Sequence, residues 1–283
     1  MDLRRRFIFR GNAAAIGGRI VRPADIVLDS ITASSLTVAG GRSQARAGVA
    51  RFGELVSFAS AMTSAEGVFD DVQKQIDFTN GKVAEDALTT STHVIADVTG
   101  LSVGDKPKLT VKHLRATVHS KSPTGSGEPG IALGSDTAID GAVIDGHALV
   151  VELAVPLFQE LDTRAKLLTA CDDPEFVRDS GDCLFMKQAS GGAAAPPAGR
   201  LQYGAGTIYA TIVKSIKWAG EPLAGAKIDQ HLVIVPDFGR IFFGELLITD
   251  LSRRLTMLRL ELGSPIGGAV ACVEVESNGT WST

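Results

Sequence analysis

Cysteine, tryptophan and tyrosine are scarce here, with three Cys, two Trp and two Tyr in 283 residues. An odd, sparse set of Cys171, Cys183 and Cys272 argues against a disulfide-stapled secreted scaffold. Cys171 and Cys183 can pair only in an oxidising compartment, while Cys272 sits among small apolar residues and reads as a core thiol. Few Trp and Tyr, with most of the twelve Phe inside apolar runs, leave little material for the stacking platform of a glycan-binding β module. Trp281 is the one aromatic expected at the surface, free or tucked into a neighbour.

Long apolar runs are also missing. None approaches the roughly 18–20 residues that span a bilayer. The basic opening Arg4, Arg5, Arg6 and Arg10 surrounds a short Phe7-Ile8-Phe9 strand with no apolar signal region behind it. Cytoplasmic is therefore the default location, with an extracellular one open to a chain already trimmed of a signal. Neither sign of charge dominates. A net charge of -4 offers no electrostatic reason to expect nucleic acid or an anionic membrane.

Signatures of chemistry are absent as well. There is no G-x-S-x-G elbow, no phosphate-cradling P-loop, no G-x-G-x-x-G between a strand and a helix, and no C-x-x-C unit. No cofactor is expected. The acidic loop carrying Asp172, Asp173, Glu175, Asp179 and Asp182 has the oxygens that Ca²⁺ takes, but not the spaced register of a calcium loop. A solvated charge run is the plainer reading. His113, Arg115 and His119 fall on one strand face, yet i and i+6 in a strand stand roughly 20 Å apart and cannot share one ion. His147 and His231 have no local carboxylate partner and read as structural. Arg253-Arg254 reads as an exposed hairpin turn.

What the chain does have is β pattern. Leu232–Val235, Ile241–Ile248 and Leu255–Leu262 are apolar, β-rich runs separated by Pro-Asp-Phe-Gly and by Thr-Asp-Leu-Ser-Arg-Arg, which predicts an antiparallel meander at the centre of the main sheet. Val94, Ala96 and Val98 alternate with polar residues until Gly100, where the strand is expected to stop. Leu114, Ala116 and Val118 alternate with His113, Arg115, Thr117 and His119. Thr207–Trp218 reads as one strand. A single helix is expected over about 157–170, after Pro156, with Leu157, Leu161, Ala165 and Leu168 on one stripe. The 31 Gly suit a chain of many turns.

The pattern predicts an all-β chain, an antiparallel β-sandwich or flattened barrel with one peripheral helix; a β-solenoid is the alternative. Residues 1–283 read as one β-rich domain, with two similar halves (about 1–121 and 131–283) possible around the Gly/Pro/Ser loop 122–130. Phe52-Gly53-Glu54-Leu55-Val56 and Phe243-Gly244-Glu245-Leu246-Leu247 echo one another. The functional expectation is a non-enzymatic structural or interaction protein. It would self-associate, as a homo-oligomer or filament, through β edges and the basic arm Arg4, Arg5, Arg6 and Arg10, with Trp281 as a further contact. A small-ligand or glycan-binding module, with its site in loops 122–130 and 171–183, is second. An enzyme of unfamiliar type is third.

Overall fold

The computed structural model describes residues 7–82, 88–123, 128–176 and 207–281. Two open antiparallel sheets face each other. The first runs β14 (Lys227–Asp229), β15 (Leu232–Val235), β16 (Gly239–Ile248), β17 (Ser252–Leu262), β18 (Gly267–Trp281), β1 (Phe7–Arg22) and β2 (Ile26–Ser35), with β12 (Ile208–Thr211) also on β16. The second runs β13 (Val213–Trp218), β11 (His147–Leu153), β10 (Ala138–Ile144), β8 (Lys108–Pro123), β7 (Thr89–Gly104), β5 (Val56–Phe58) and β4 (Ala50–Phe52). It also takes in β6 (Ser60–Phe69) on β7, β3 (Gly41–Ala47) on β6, and β9 (Gly130–Leu133) on β8.

This is the sandwich form of the expected all-β fold. Neither sheet closes into a barrel, and the uniformly antiparallel ladders rule out a parallel-coiled solenoid. The expected meander is β15–β17, and it fills one half of the first sheet. The other half is built on β1, which pairs β18 from Phe7↔Trp281 to Arg22↔Gly267. One continuous apolar core lies between the sheets, with Ile16, Val94, Leu114, Phe243 and Leu258 all fully buried in it. Stretches 7–123 and 128–281 both supply strands to both sheets. The two echoing pentapeptides fold differently: Phe52–Val56 makes the β4–β5 turn, whereas Phe243–Leu247 runs through β16.

The expected strand over 207–218 is two strands on different sheets. At Ile212 the chain crosses the sandwich: β12 pairs β16 and β13 pairs β11. Thr211 holds the crossing, its hydroxyl lying 3.1 Å from the Phe243 carbonyl and 3.0 Å from that of Gly244, while accepting from the Val213 amide at 3.1 Å.

The expected helix over 157–170 also divides. α2 (Val155–Glu160) and α3 (Arg164–Cys171) are separated where Thr163 takes an extended conformation and caps α3, accepting from the Lys166 amide at 3.1 Å. The Glu128 carboxylate accepts from the Arg164 and Ala165 amides in the same first turn. Arg253, read from sequence as an exposed turn, is instead 1% exposed and donates to the carbonyls of Phe158 and Leu161 at the end of α2. The pair is less peripheral than its sequence implied, because Phe158 and Leu167 are fully buried and join the core. A further short helix, α1 (Val72–Thr79), buries none of its residues. No helix among the described residues is long and apolar enough to cross a membrane.

Each sheet carries a transverse crease. In the first sheet the ladders keep register on both sides but skip one row: Gly244, Met257, Val273, Ala15 and Thr32. Alternate strands take the left-handed conformation there, with φ of 59° at Gly244, 57° at Val273 and 55° at Thr32. The second sheet repeats the device through Ala59, Gly100, Lys112 and Gly141, with φ of 63° at both glycines. Gly100 therefore bends β7 rather than ending it. The result is a switch in facing: Leu255 points inward on one side of the crease in β17, and Leu258, Leu260 and Leu262 on the other. Neighbouring strands bulge in step, so register is kept across the crease row itself, and the β1–β2 ladder shifts only beyond Ile16. A side chain per strand changes face at no cost in register.

A creased pocket on the first sheet

The crease sets the geometry of the outer face. Outward side chains that would stand two residues apart stand three apart across it: Phe242 and Glu245 on β16, Thr256 and Arg259 on β17. The edge of β16 is meanwhile divided, β15 pairing Gly239–Phe242 and β12 pairing Glu245–Ile248. The gap between β12 and β15, over the crease, opens a cavity of about 490 Å³. Tyr209 and Leu247 line one side and His231, Leu232 and Phe242 the other, with Glu245, Arg259, Thr256, Arg254 and Glu274 across the floor.

Arg259 spans the crease. Its guanidinium donates to both Glu245 oxygens, at 2.6 and 2.8 Å, and to Glu261 at 2.5 Å, while lying 3.7 Å over the Phe242 ring. Burial works against the Glu245 charge, but hydrogen bonds from Arg259 and His231 outweigh it and hold this carboxyl down at about 2. His231 Nε2 lies 3.9 Å from Glu245. Thr256 Oγ1 donates to Glu274 at 3.1 Å, and Arg254 to Glu276 at 3.0 Å. Both pocket arginines are thus matched by carboxylates, and two aromatic rings border the cavity. The site offers many oriented donors and acceptors.

On the second sheet the polar residues noted in the sequence divide into two groups. Arg115 bridges Asp97 at 3.0 Å and Asp136 at 2.7 Å, and His113 lies between Asp97 at 2.9 Å and Asp140 at 3.4 Å. His119 lies apart from that Asp97 network and stacks on His93 of β7. The sequence argument that His113 and His119 cannot share an ion agrees with this separation. His147 bonds the Glu221 carbonyl at 2.9 Å, a structural role. His231 has no local carboxylate, as its sequence shows, and meets one, Glu245, from another strand.

Of the weak calcium candidates, Asp172 is the C-cap of α3 and Asp173 accepts from the Glu175 amide at 2.9 Å; Asp179 and Asp182 lie outside the described residues. Among the described residues no group of three or more His, Cys, Asp or Glu side chains is placed to hold a metal ion. Arg4, Arg5 and Arg6 also lie outside them, as do Cys183 and much of the two loops expected to form a ligand site. Arg10 is exposed on β1 opposite Asn278, and Trp281 ends β18 opposite Phe7. Burial pushes the Cys171 thiol up to about 11, with Asp172 adding to it, and the fully buried Cys272 thiol up to about 12. Neither is poised as a thiolate nucleophile.

Sequence reasoning missed Tyr209, Phe242, Glu245 and Arg259. One signal was available: Gly244 stands alone in an apolar strand run, which marks a bulge or a close backbone approach. The chain matches no curated protein and no solved structure. Residues 7–249 match the family described as domain of unknown function (DUF8256), and the chain belongs to that family.

Proposed function

We propose that this protein is a non-enzymatic β-sandwich module that binds a neutral, polyhydroxylated small molecule, such as a saccharide unit, in the creased pocket of the first sheet. The observation that carries this reading is the internal pairing of the pocket's charges. Arg259 and Arg254 already meet Glu245, Glu261 and Glu276, so an anionic ligand gains no free counter-charge. The paired carboxylates keep lone pairs for hydroxyl donors, and Tyr209 adds an aromatic side chain to the lining beside Phe242, whose ring already carries Arg259. The cavity volume is that of a small-molecule site.

The test is an NMR titration of the full chain with neutral mono- and disaccharides, beside anionic and aromatic small molecules. Shifts that saturate at Tyr209, His231 and Thr256 with a neutral sugar, and vanish in Tyr209→Ala, are the expected outcome. Saturable shifts there with the anionic or aromatic compounds alone would sink the reading.

A second reading, self-association, is favoured by the contrast between sheet edges. The edge strands β3, β4 and β13 carry Arg42, Arg46, Arg51, Lys214 and Lys217, the charges that blunt unwanted pairing. β2 is the longest edge strand of the first sheet, holds neither Lys nor Arg, and exposes Val27. Addition of a second copy along β2, with the basic arm as a further contact, would make the protein structural. Light scattering at two concentrations and two salt levels should then show assemblies that Val27→Lys dissolves; a monomer throughout would remove this reading.

A further inference from the structure

We propose that His93 and His119 form a site for a late first-row divalent metal ion, Cu²⁺ ahead of Zn²⁺, on the outer face of the second sheet. The two residues stand directly opposite one another in the β7–β8 ladder, among paired residues from Gly104↔Lys108 to Thr89↔Pro123. Their backbones are therefore fixed before any ion arrives. Their rings stack with centroids 4.1 Å apart and planes inclined by 19°. Cβ atoms of directly opposite residues in an antiparallel pair stand about 4.5–5.5 Å apart, a span that two imidazoles and one ion can bridge. In the stack the nitrogen lone pairs lie in the ring planes and do not converge; histidine χ2 is a soft torsion, so the rings can unstack and each turn a nitrogen toward one ion.

A second observation sets this pair apart from an ordinary aromatic contact. His93 Nε2 is shielded from solvent and has no hydrogen-bond partner. A shielded ring nitrogen without a partner loses hydration and gains nothing in return, and a metal ion supplies what is missing. The cross-strand neighbours are Ala132, which faces His119 across β8–β9, and Glu66, which faces His93 across β6–β7. With only two imidazoles supplied by the protein, the remaining positions fall to water. Nitrogen ligands without a thiolate rank Cu²⁺ above Zn²⁺, and both above Mg²⁺ or Ca²⁺. The pair lies on the sheet opposite the creased pocket, so the two sites are independent.

The experiment uses the full chain without a histidine tag. Calorimetric titration with CuCl₂ and ZnCl₂ in a non-coordinating buffer should show saturable one-to-one binding, tighter for Cu²⁺. Electron paramagnetic resonance of the copper form should carry hyperfine coupling from imidazole nitrogen. His93→Gln and His119→Gln should each weaken copper binding by at least about tenfold, whereas His147→Gln should not. Paramagnetic broadening by Cu²⁺ in the unaltered chain keeps the proposal testable should a variant fold poorly, and it should centre on residues 93 and 119. Broadening centred on His113 or on the N-terminal amine, copper binding unchanged in the double variant, or no binding at all would each overturn the proposal.

Discussion

Replacing Arg253 with alanine should be strongly destabilising, and the size of the loss follows from opposing contributions. The guanidinium is 1% exposed, and burial lowers its pKa to about 10 from an ordinary 12.5. At about 1.36 kcal/mol per unit, keeping it charged in the core costs roughly 3 kcal/mol. Against this stand charge-assisted hydrogen bonds to the carbonyls of Phe158 and Leu161, each contributing about 1.5–3 kcal/mol. Once the side chain is gone, those carbonyls are buried at the end of α2 without a donor, at about 1–3 kcal/mol apiece. Alanine adds a cavity. Arg253→Ala should therefore lose about 3–5 kcal/mol. Arg253→Met keeps much of the volume and removes the buried charge, and should lose only about 1–2 kcal/mol. Urea unfolding at neutral pH measures both, and amide exchange should quicken first across residues 155–171. A loss below about 1 kcal/mol for Arg253→Ala would refute the reasoning. It would mean that the buried charge and its contacts cancel, and that something else docks α2 on the sheet.

Other expectations follow from the crease and its pocket. Glu245 is held at about 2, below the ordinary 4.5, so its stabilisation is full above pH 4.5 and drains away as pH falls toward 2. Glu245→Gln should be about 2–3 kcal/mol less stable than the parent near pH 7, with the gap closing below pH 4.5; a gap that stays constant on acidification would contradict the Arg259 pairing. Gly244→Ala places a Cβ 2.7 Å from Ile212 Cγ1 on a backbone with φ of 59°, and should cost about 2 kcal/mol or more. Gly48→Ala, with nothing within 4 Å of the new Cβ, should be neutral or slightly stabilising by chemical denaturation. If the two alanines behave alike, the crease is not held by its glycines. Val273→Gly relieves a left-handed valine but empties a fully buried side chain, and should lose about 1–2 kcal/mol because burial outweighs the strain. A gain in melting temperature would reverse that ranking.

The strands were legible wherever one period governed them. β7, β8 and the β15–β17 meander announced themselves because alternation or apolar runs between turn residues need only local sequence. The crease was not legible in the same way. Period-2 reasoning assumes that a strand keeps its facing, and Met257 and Val273 break that assumption with ordinary side chains whose conformation is imposed by neighbouring strands. Only its glycines, Gly100, Gly141 and Gly244, left a trace, and at Gly100 that trace read as a strand end. The pocket was hidden for a related reason. Glu245 and Arg259 stand fourteen residues apart, and His231 finds its carboxylate across a strand pair, so the pairing must be known before the cluster exists. The buried Arg253 defeated the rule that consecutive arginines after a turn face water, since its partners are backbone carbonyls that carry no sequence signature.

The long ladder between β1 and β18 has a consequence for biosynthesis. Phe7 finds its partner at Trp281, so β1 waits for a strand made far later along the chain before the middle of its sheet can form. Until then β1 has only β2, and an isolated two-stranded ribbon holds weakly in water. Contacts this distant along the chain slow folding and lengthen the interval in which apolar strands stand open to other nascent chains. Synthesis rate and chaperone supply, more than the stability of the finished sandwich, should set how much of this protein a cell recovers in native form.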